Sequence, residues 1–163
     1  MKQWELSKRI NGSLVGLLIL WGLGNITDIQ AQTSGQTLNI NGKGFGNLTT
    51  GTTTSGIIVG AGILNGKTDA TFTDSKPSGG GLIDVDATTL SYVATVVIKA
   101  KRGTLTMQDV GIFDTANGKF SSVSKVTGGT GRFAGATGFL FFHGDTFPDG
   151  RFIDEITGEI EVQ

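Results

Sequence analysis

The chain has 163 residues, 27 of them glycine and only 2 proline, and 37% of it is hydrophobic; this balance excludes a disordered chain and points to many short strands joined by tight turns. Its 13 basic and 14 acidic side chains leave a formal net charge of −1, so no strong field favours nucleic acid or an anionic membrane surface as a partner. There is no cysteine, which removes disulfides, thiolate metal sites and a cysteine nucleophile.

Residues 1–31 read as a secretory signal. Lys2, Lys8 and Arg9 form a basic front, Leu14 to Trp21 an apolar middle, and Ile29-Gln30-Ala31 a small-residue cleavage site. The rival reading is a retained anchor, but the apolar run falls short of the roughly 20 residues that span a bilayer. It also ends in Gly22, Gly24 and Asn25 without a stop-transfer charge cluster. The expected mature domain is therefore 32–163, secreted or periplasmic, with no stable membrane insertion after processing.

Within that domain, Leu38, Ile40 and Phe45 alternate with polar or glycine positions around Asn41-Gly42, which predicts a first strand or hairpin. Asn47 to Ser55 reads as a Thr/Gly-rich loop. The apolar run Ile57 to Leu64 ends at Asn65-Gly66, a dipeptide suited to a two-residue hairpin, with Lys67 to Asp74 as the return strand. Pro77-Ser78-Gly79-Gly80-Gly81 is the clearest break and reads as a surface loop. Leu90 to Lys101 is the strongest strand, with Leu90, Tyr92, Ala94, Val96, Ile98 and Ala100 on one face. Arg102-Gly103 turns into Thr104 to Asp114, where Leu105, Met107, Asp109, Gly111 and Phe113 share a face on which Asp109 is the one charge. Ala116-Asn117-Gly118 turns into Lys119 to Val126. After Asp149-Gly150, Arg151 to Val162 alternates again, with Phe152, Asp154, Ile156, Gly158, Ile160 and Val162 on one side. No stretch of the mature part has helical periodicity.

Between these lies Gly128-Gly129-Thr130-Gly131-Arg132-Phe133-Ala134-Gly135-Ala136-Thr137-Gly138, leading into Phe139-Leu140-Phe141-Phe142. A nucleotide-binding glycine loop needs a following helix to present its N-terminus to phosphate, and none follows. The stretch reads instead as a glycine turn feeding a bent strand. About eight antiparallel strands is the count at which a sheet closes around its own side chains or one small ligand, so the predicted fold is all-β, a single antiparallel eight-stranded barrel.

Val126 to Gly138, together with Gly103-Thr104-Leu105-Thr106 and Ile156-Thr157-Gly158-Glu159-Ile160, resembles the signature of the allene oxide cyclase-like and dirigent-like barrels. The resemblance covers roughly Lys99 to Val162. It implies a secreted or organellar eight-stranded barrel with an apolar lumen, often oligomeric, without metal or nucleotide cofactor. Plant members of the first group close an unsaturated fatty-acid epoxide into a cyclopentenone, and those of the second steer phenoxy-type intermediates. The lumen carboxylate of the cyclases lies on an amino-terminal strand that has no match here. The dirigent pattern continues into an arginine-glycine-tyrosine run, where this chain reads Ala136-Thr137-Gly138-Phe139.

By strand parity Asp109, Tyr92 and Asp154 face inward together and are the catalytic candidates, since a carboxyl in apolar surroundings gains a raised pKa and can act as acid or base. The rival placement is at a barrel end, bonded to turn backbone. Arg132, Phe139 and Phe141 are the ligand-binding candidates, with an ion pair to Asp109, Asp114 or Asp154 as the structural reading of Arg132. Phe139 and Phe141 point to the wall opposite Leu140 and Phe142, so one pair is outward and suits an oligomer contact. His143 reads as a strand-end residue with no metal set around it, Glu155, Glu159 and Glu161 as a solvated face, and Asp84-Val85-Asp86 as too sparse for calcium. The sequence thus describes an exported barrel that binds a small apolar molecule in its lumen. An isomerase or cyclase acting on an oxidised lipid or phenolic substrate, and a structural envelope protein built as a homo-oligomer, are the other two readings.

Overall fold

A computed structural model describes residues 35–77 and 88–163, all within one unit, Gly35–Gln163. The signal reading of 1–31, the glycines of the 77–81 break and the Asp84-Val85-Asp86 pair lie outside the described residues. Eight strands follow in order: β1 (Gln36–Thr50), β2 (Thr53–Val59), β3 (Gly66–Pro77), β4 (Thr89–Ala100), β5 (Gly103–Asp114), β6 (Lys119–Gly129), β7 (Thr137–Thr146) and β8 (Arg151–Val162). Each pairs antiparallel with the next, and β8 pairs back onto β1, so the sheet closes into the expected eight-stranded antiparallel barrel. Closure leaves no sheet edge unpaired.

Period-two alternation fixes the interior. Tyr92, Ala94, Val96 and Ile98 of β4 are buried, as are Leu105, Met107 and Asp109 of β5 and Ile156, Ile160 and Val162 of β8. Two glycine dipeptides of the first half do not turn the chain. Asn41-Gly42 lies inside the continuous β1, where a Cβ on Gly42 would overlap that of Ala61. Gly66 opens β3 against the Lys99 carbonyl, and the β2–β3 reversal is made earlier, by a single 3-10 turn at Gly62–Leu64. Asn65 serves that turn through its side chain, Oδ1 accepting from the Ala61 N–H at 2.8 Å. The Thr/Gly-rich stretch expected as a loop is the tip of the β1–β2 hairpin, where Thr49 and Thr53 hydroxyls pair at 2.6 Å.

Antiparallel order puts the β2–β3, β4–β5 and β6–β7 connections, with both barrel termini, at one end. That end is solid. Leu64, Ile98, Leu105, Phe133, Leu140, Ile160 and Val162 are wholly buried there. The glycine motif makes the floor: after β6 the chain takes a 3-10 turn, Gly131–Phe133, that drives the Phe133 ring into the core. Gly131 sits at φ +59°, a conformation that side-chain-bearing residues avoid, because its backbone passes directly under the Arg102 carbonyl of the β4–β5 turn. The Arg132 N–H donates to that same carbonyl at 2.9 Å, and the Thr130 N–H to Thr104 O at 2.8 Å.

The outer wall carries an apolar row that crosses four strands. Val93 of β4 faces Val110 of β5, which faces Val123 of β6, which faces Phe141 of β7. Ile112 and Phe139 flank it, and Val110, Ile112, Phe139 and Phe141 are each about half exposed, at 52%, 52%, 47% and 49%.

Candidate functional site

Toward the other end the packing gives way to a cavity of about 410 Å³ that opens between the β1–β2, β5–β6 and β7–β8 connections. The strands there present smaller inward residues: Gly44 on β1, Gly111 on β5, Ser122 on β6 and Gly144 on β7. Aromatic rings line the upper walls. Phe72 and Tyr92 meet edge to face with centroids 5.2 Å apart, and Phe120 and Phe152 do the same at 6.4 Å. Such pairs contribute about 0.5–1.5 kcal/mol beyond the area they bury.

The polar groups converge from three strands. Asp109 projects from β5 and is 5% exposed, and Ser124 Oγ, its cross-strand partner on β6, donates to Oδ1 at 2.5 Å. The Ser122 side chain lies beside both the Asp109 carboxyl and the Tyr92 hydroxyl and lowers the pKa of each. Tyr92 lies across Gly111, where a Cβ would overlap its ring and hydroxyl, so the glycine makes the room in which the phenol rests. Asp154 comes from β8, and its carboxyl packs on Gly44, its register partner on β1, in space that any side chain at 44 would fill.

These surroundings set the protonation chemistry. Burial pushes the Asp154 carboxyl up to about 6, against the opposing pull of the Gly44 backbone amide and of His143 on β7. Although the Gly44 amide approaches the carboxyl, Oδ1 is buried and makes no hydrogen bond. Burial likewise raises Asp109, while the Ser124 and Ser122 side chains hold it down. Tyr92 stands well above the usual tyrosine range, first because it is buried and then because Asp109 and Asp154 oppose a further negative charge beside them. A carboxyl that titrates near neutrality in an apolar cup can give or take a proton on a bound molecule, and the neighbouring phenol can donate a hydrogen bond without ionising.

The structure therefore brings Tyr92, Asp109 and Asp154 to one cavity and away from the turns, but it does not bring the other candidates there. Arg132 is at the solid end: Nη1 donates to the Gln163 carbonyl at 2.8 Å and Nη2 to Gln36 Oε1 at 3.0 Å, in place of an ion pair with Asp109, Asp114 or Asp154. Asp114 instead caps the β5–β6 turn, accepting from Ala116 N at 2.9 Å and Asn117 Nδ2 at 2.7 Å. Phe139 and Phe141 lie on the outer wall, and Leu140 and Phe142 are the inward pair. His143 is within β7 rather than at its end and points outward, 3.3 Å from Glu155. Ser122 and Ser124 are the site residues that sequence reasoning missed. Their signal was the parity of Lys119 to Val126, which sets both on the face of Phe120 and Val126. Among the described residues, no three His, Asp or Glu side chains group as a metal set.

Neither a family model nor a curated protein matches the chain. A solved structure to which it is similar is that of the pterocarpan synthase dirigent protein GePTS1. The two are 16% identical, the match spans 83% of this chain and 94% of that one, and the TM-score is 0.33.

Proposed function

We propose that this chain is an exported, lumen-binding barrel of the allene oxide cyclase-like and dirigent-like kind, which takes a small, largely apolar molecule into the open half of its interior. The observation that carries the reading is the cavity of about 410 Å³, walled by aromatic and aliphatic side chains and provided with a few convergent polar groups. The glycine motif supports the family assignment through its role in the floor of the barrel. Exposed Lys43, Lys125, Glu155, Glu159 and Glu161 around the wall favour a barrel that works in water over one that faces lipid.

Native mass spectrometry of the protein purified from its own host, followed by solvent extraction, tests the proposal. A stoichiometric small molecule released on denaturation is the expected result, and a clean polypeptide mass with no uptake of apolar probes defeats it. The same spectra report the mature N-terminus, which export predicts to follow Ala31.

Two observations favour further roles. Asp109, Asp154 and Tyr92 share the cavity and burial raises the pKa of all three, which suits proton transfer in an isomerase or cyclase, so Asp109→Asn and Tyr92→Phe are expected to stop any turnover of the extracted molecule while the barrel stays folded. The apolar row Val93, Val110, Val123 and Phe141 suits contact with a second copy of the chain, since exposed apolar patches of this continuity mark interaction surfaces.

A further inference from the structure

Resting on the lumen-binding reading, we infer that the cavity selects its ligand by charge: it takes an apolar molecule carrying a positively charged nitrogen, such as a hydrophobic amine, and rejects carboxylates and other anions. The inventory of the lining leads there. Its charged members among the described residues are Asp74, Asp109 and Asp154, and no Lys, Arg or His is among them. Asp74, at the rim, already has a partner in Lys76 at 3.0 Å. Asp109 and Asp154, deeper inside, have none. Asp109 receives a hydroxyl hydrogen bond from Ser124, and Asp154 Oδ1 receives no hydrogen bond at all.

Two carboxylates in an apolar cup are costly to keep, because burial removes their hydration without supplying a counter-charge. A bound cation supplies it. Around them stand the rings of Phe72, Tyr92, Phe120 and Phe152, whose faces attract a cationic head and whose bodies accept an apolar frame. Tyr92 lines the cavity, and its ionisation is opposed first by burial and then by Asp109 and Asp154. A ligand carboxylate beside Tyr92 meets that same pair of charges. The groups that act on Asp154 are the Gly44 amide from β1 and His143 from β7, the last on the outer wall, while Asp154 and Asp109 both act on Tyr92 from β4.

The test uses three probes with one bicyclic body: naphthylethylamine, naphthylethanol and naphthylacetate, titrated calorimetrically into the mature protein at about pH 5 and about pH 8, either side of the Asp154 value of about 6. The amine is expected to bind about tenfold or more tighter than the alcohol at the higher pH, with the acetate weakest, and the amine-to-alcohol ratio is expected to shrink at the lower pH. Asp154→Asn should bring the ratio toward one at the higher pH, chiefly through a loss of amine affinity. If that variant does not fold, the pH dependence of the wild-type ratio decides alone. Equal binding of all three probes, or preference for the acetate, overturns the charge selection and leaves lumen binding standing. No binding by any probe overturns it too, and the native mass measurement then shows whether the lumen reading falls with it.

Discussion

The two halves of the barrel share the same strands and differ in what those strands turn inward. In the solid half, Leu64, Ile98, Leu105, Phe133, Leu140 and Ile160 fill the interior completely. Further along, the strands offer Gly44, Ser122, Asp109 and Asp154 to the cavity, Gly111 makes room for Tyr92, and the interior opens. The first half has what a cysteine-free domain needs for stability. The second gives up aliphatic packing and holds two carboxyls away from water, which is unfavourable for folding and useful only if something enters. In the proposed function, a bound molecule takes the place of the core that the open half lacks.

Four substitutions break or sharpen that contrast. Phe133→Ala, in the floor, is expected to destabilise by about 3–5 kcal/mol, read as a fall in the denaturant midpoint, since the ring is wholly buried and the turn that carries it is fixed to Arg102. Asp154→Asn, in the open half, should act in the opposite direction near neutral pH. The Asp154 value is raised from 3.8 to about 6, so the folded state holds its proton longer than the unfolded chain does. The wild type is then most stable below the unfolded value and loses up to about 3 kcal/mol as pH climbs through about 6. Urea midpoints across that interval should slope downward in the wild type and flatten in the variant; parallel curves would show that Asp154 has no such role. Gly111→Ala must displace Tyr92, with an expected cost of about 1–3 kcal/mol and an altered probe affinity. Smallest in stability is Phe141→Ser on the outer wall, expected to stay within about 0.5 kcal/mol. If the apolar row joins copies of the chain, that same change lowers the mass measured by sedimentation; an unchanged mass removes the contact.

The open half was legible in sequence to the extent that facing depends on parity alone. Tyr92, Asp109 and Asp154 each sit in a long, regular alternation, and β4, β5 and β8 run through those positions without a bulge. What needed register was not legible. Ser124 meets Asp109, and Val123 meets Val110 and Phe141, only because hairpin turns set the strands against each other, and neighbouring strands cannot be aligned from alternation within one. Glycine misled at Gly66, which yields room to the Lys99 carbonyl while the β2–β3 reversal falls earlier; Gly42 lies in the first strand, one of its two readings, and yields room to Ala61. Arg132 looked like an anion ligand because it follows a glycine turn. It is a clasp between Gln36 and Gln163, strands that come together only through closure of the barrel.

That closure also orders events in time. The seam pairs Gln36 with Val162 and Asn47 with Arg151, so the first strand to be made waits for the last. Contacts this distant along the chain must overcome a large loop entropy before they gain anything, which places sealing of the seam among the late and slow steps of folding. Asp154 and Gly44 face each other across that seam, so one wall of the cavity exists only in the finished barrel. A molecule held there bridges the first and last strands, and its departure is expected to show first as faster amide exchange along β1 and β8.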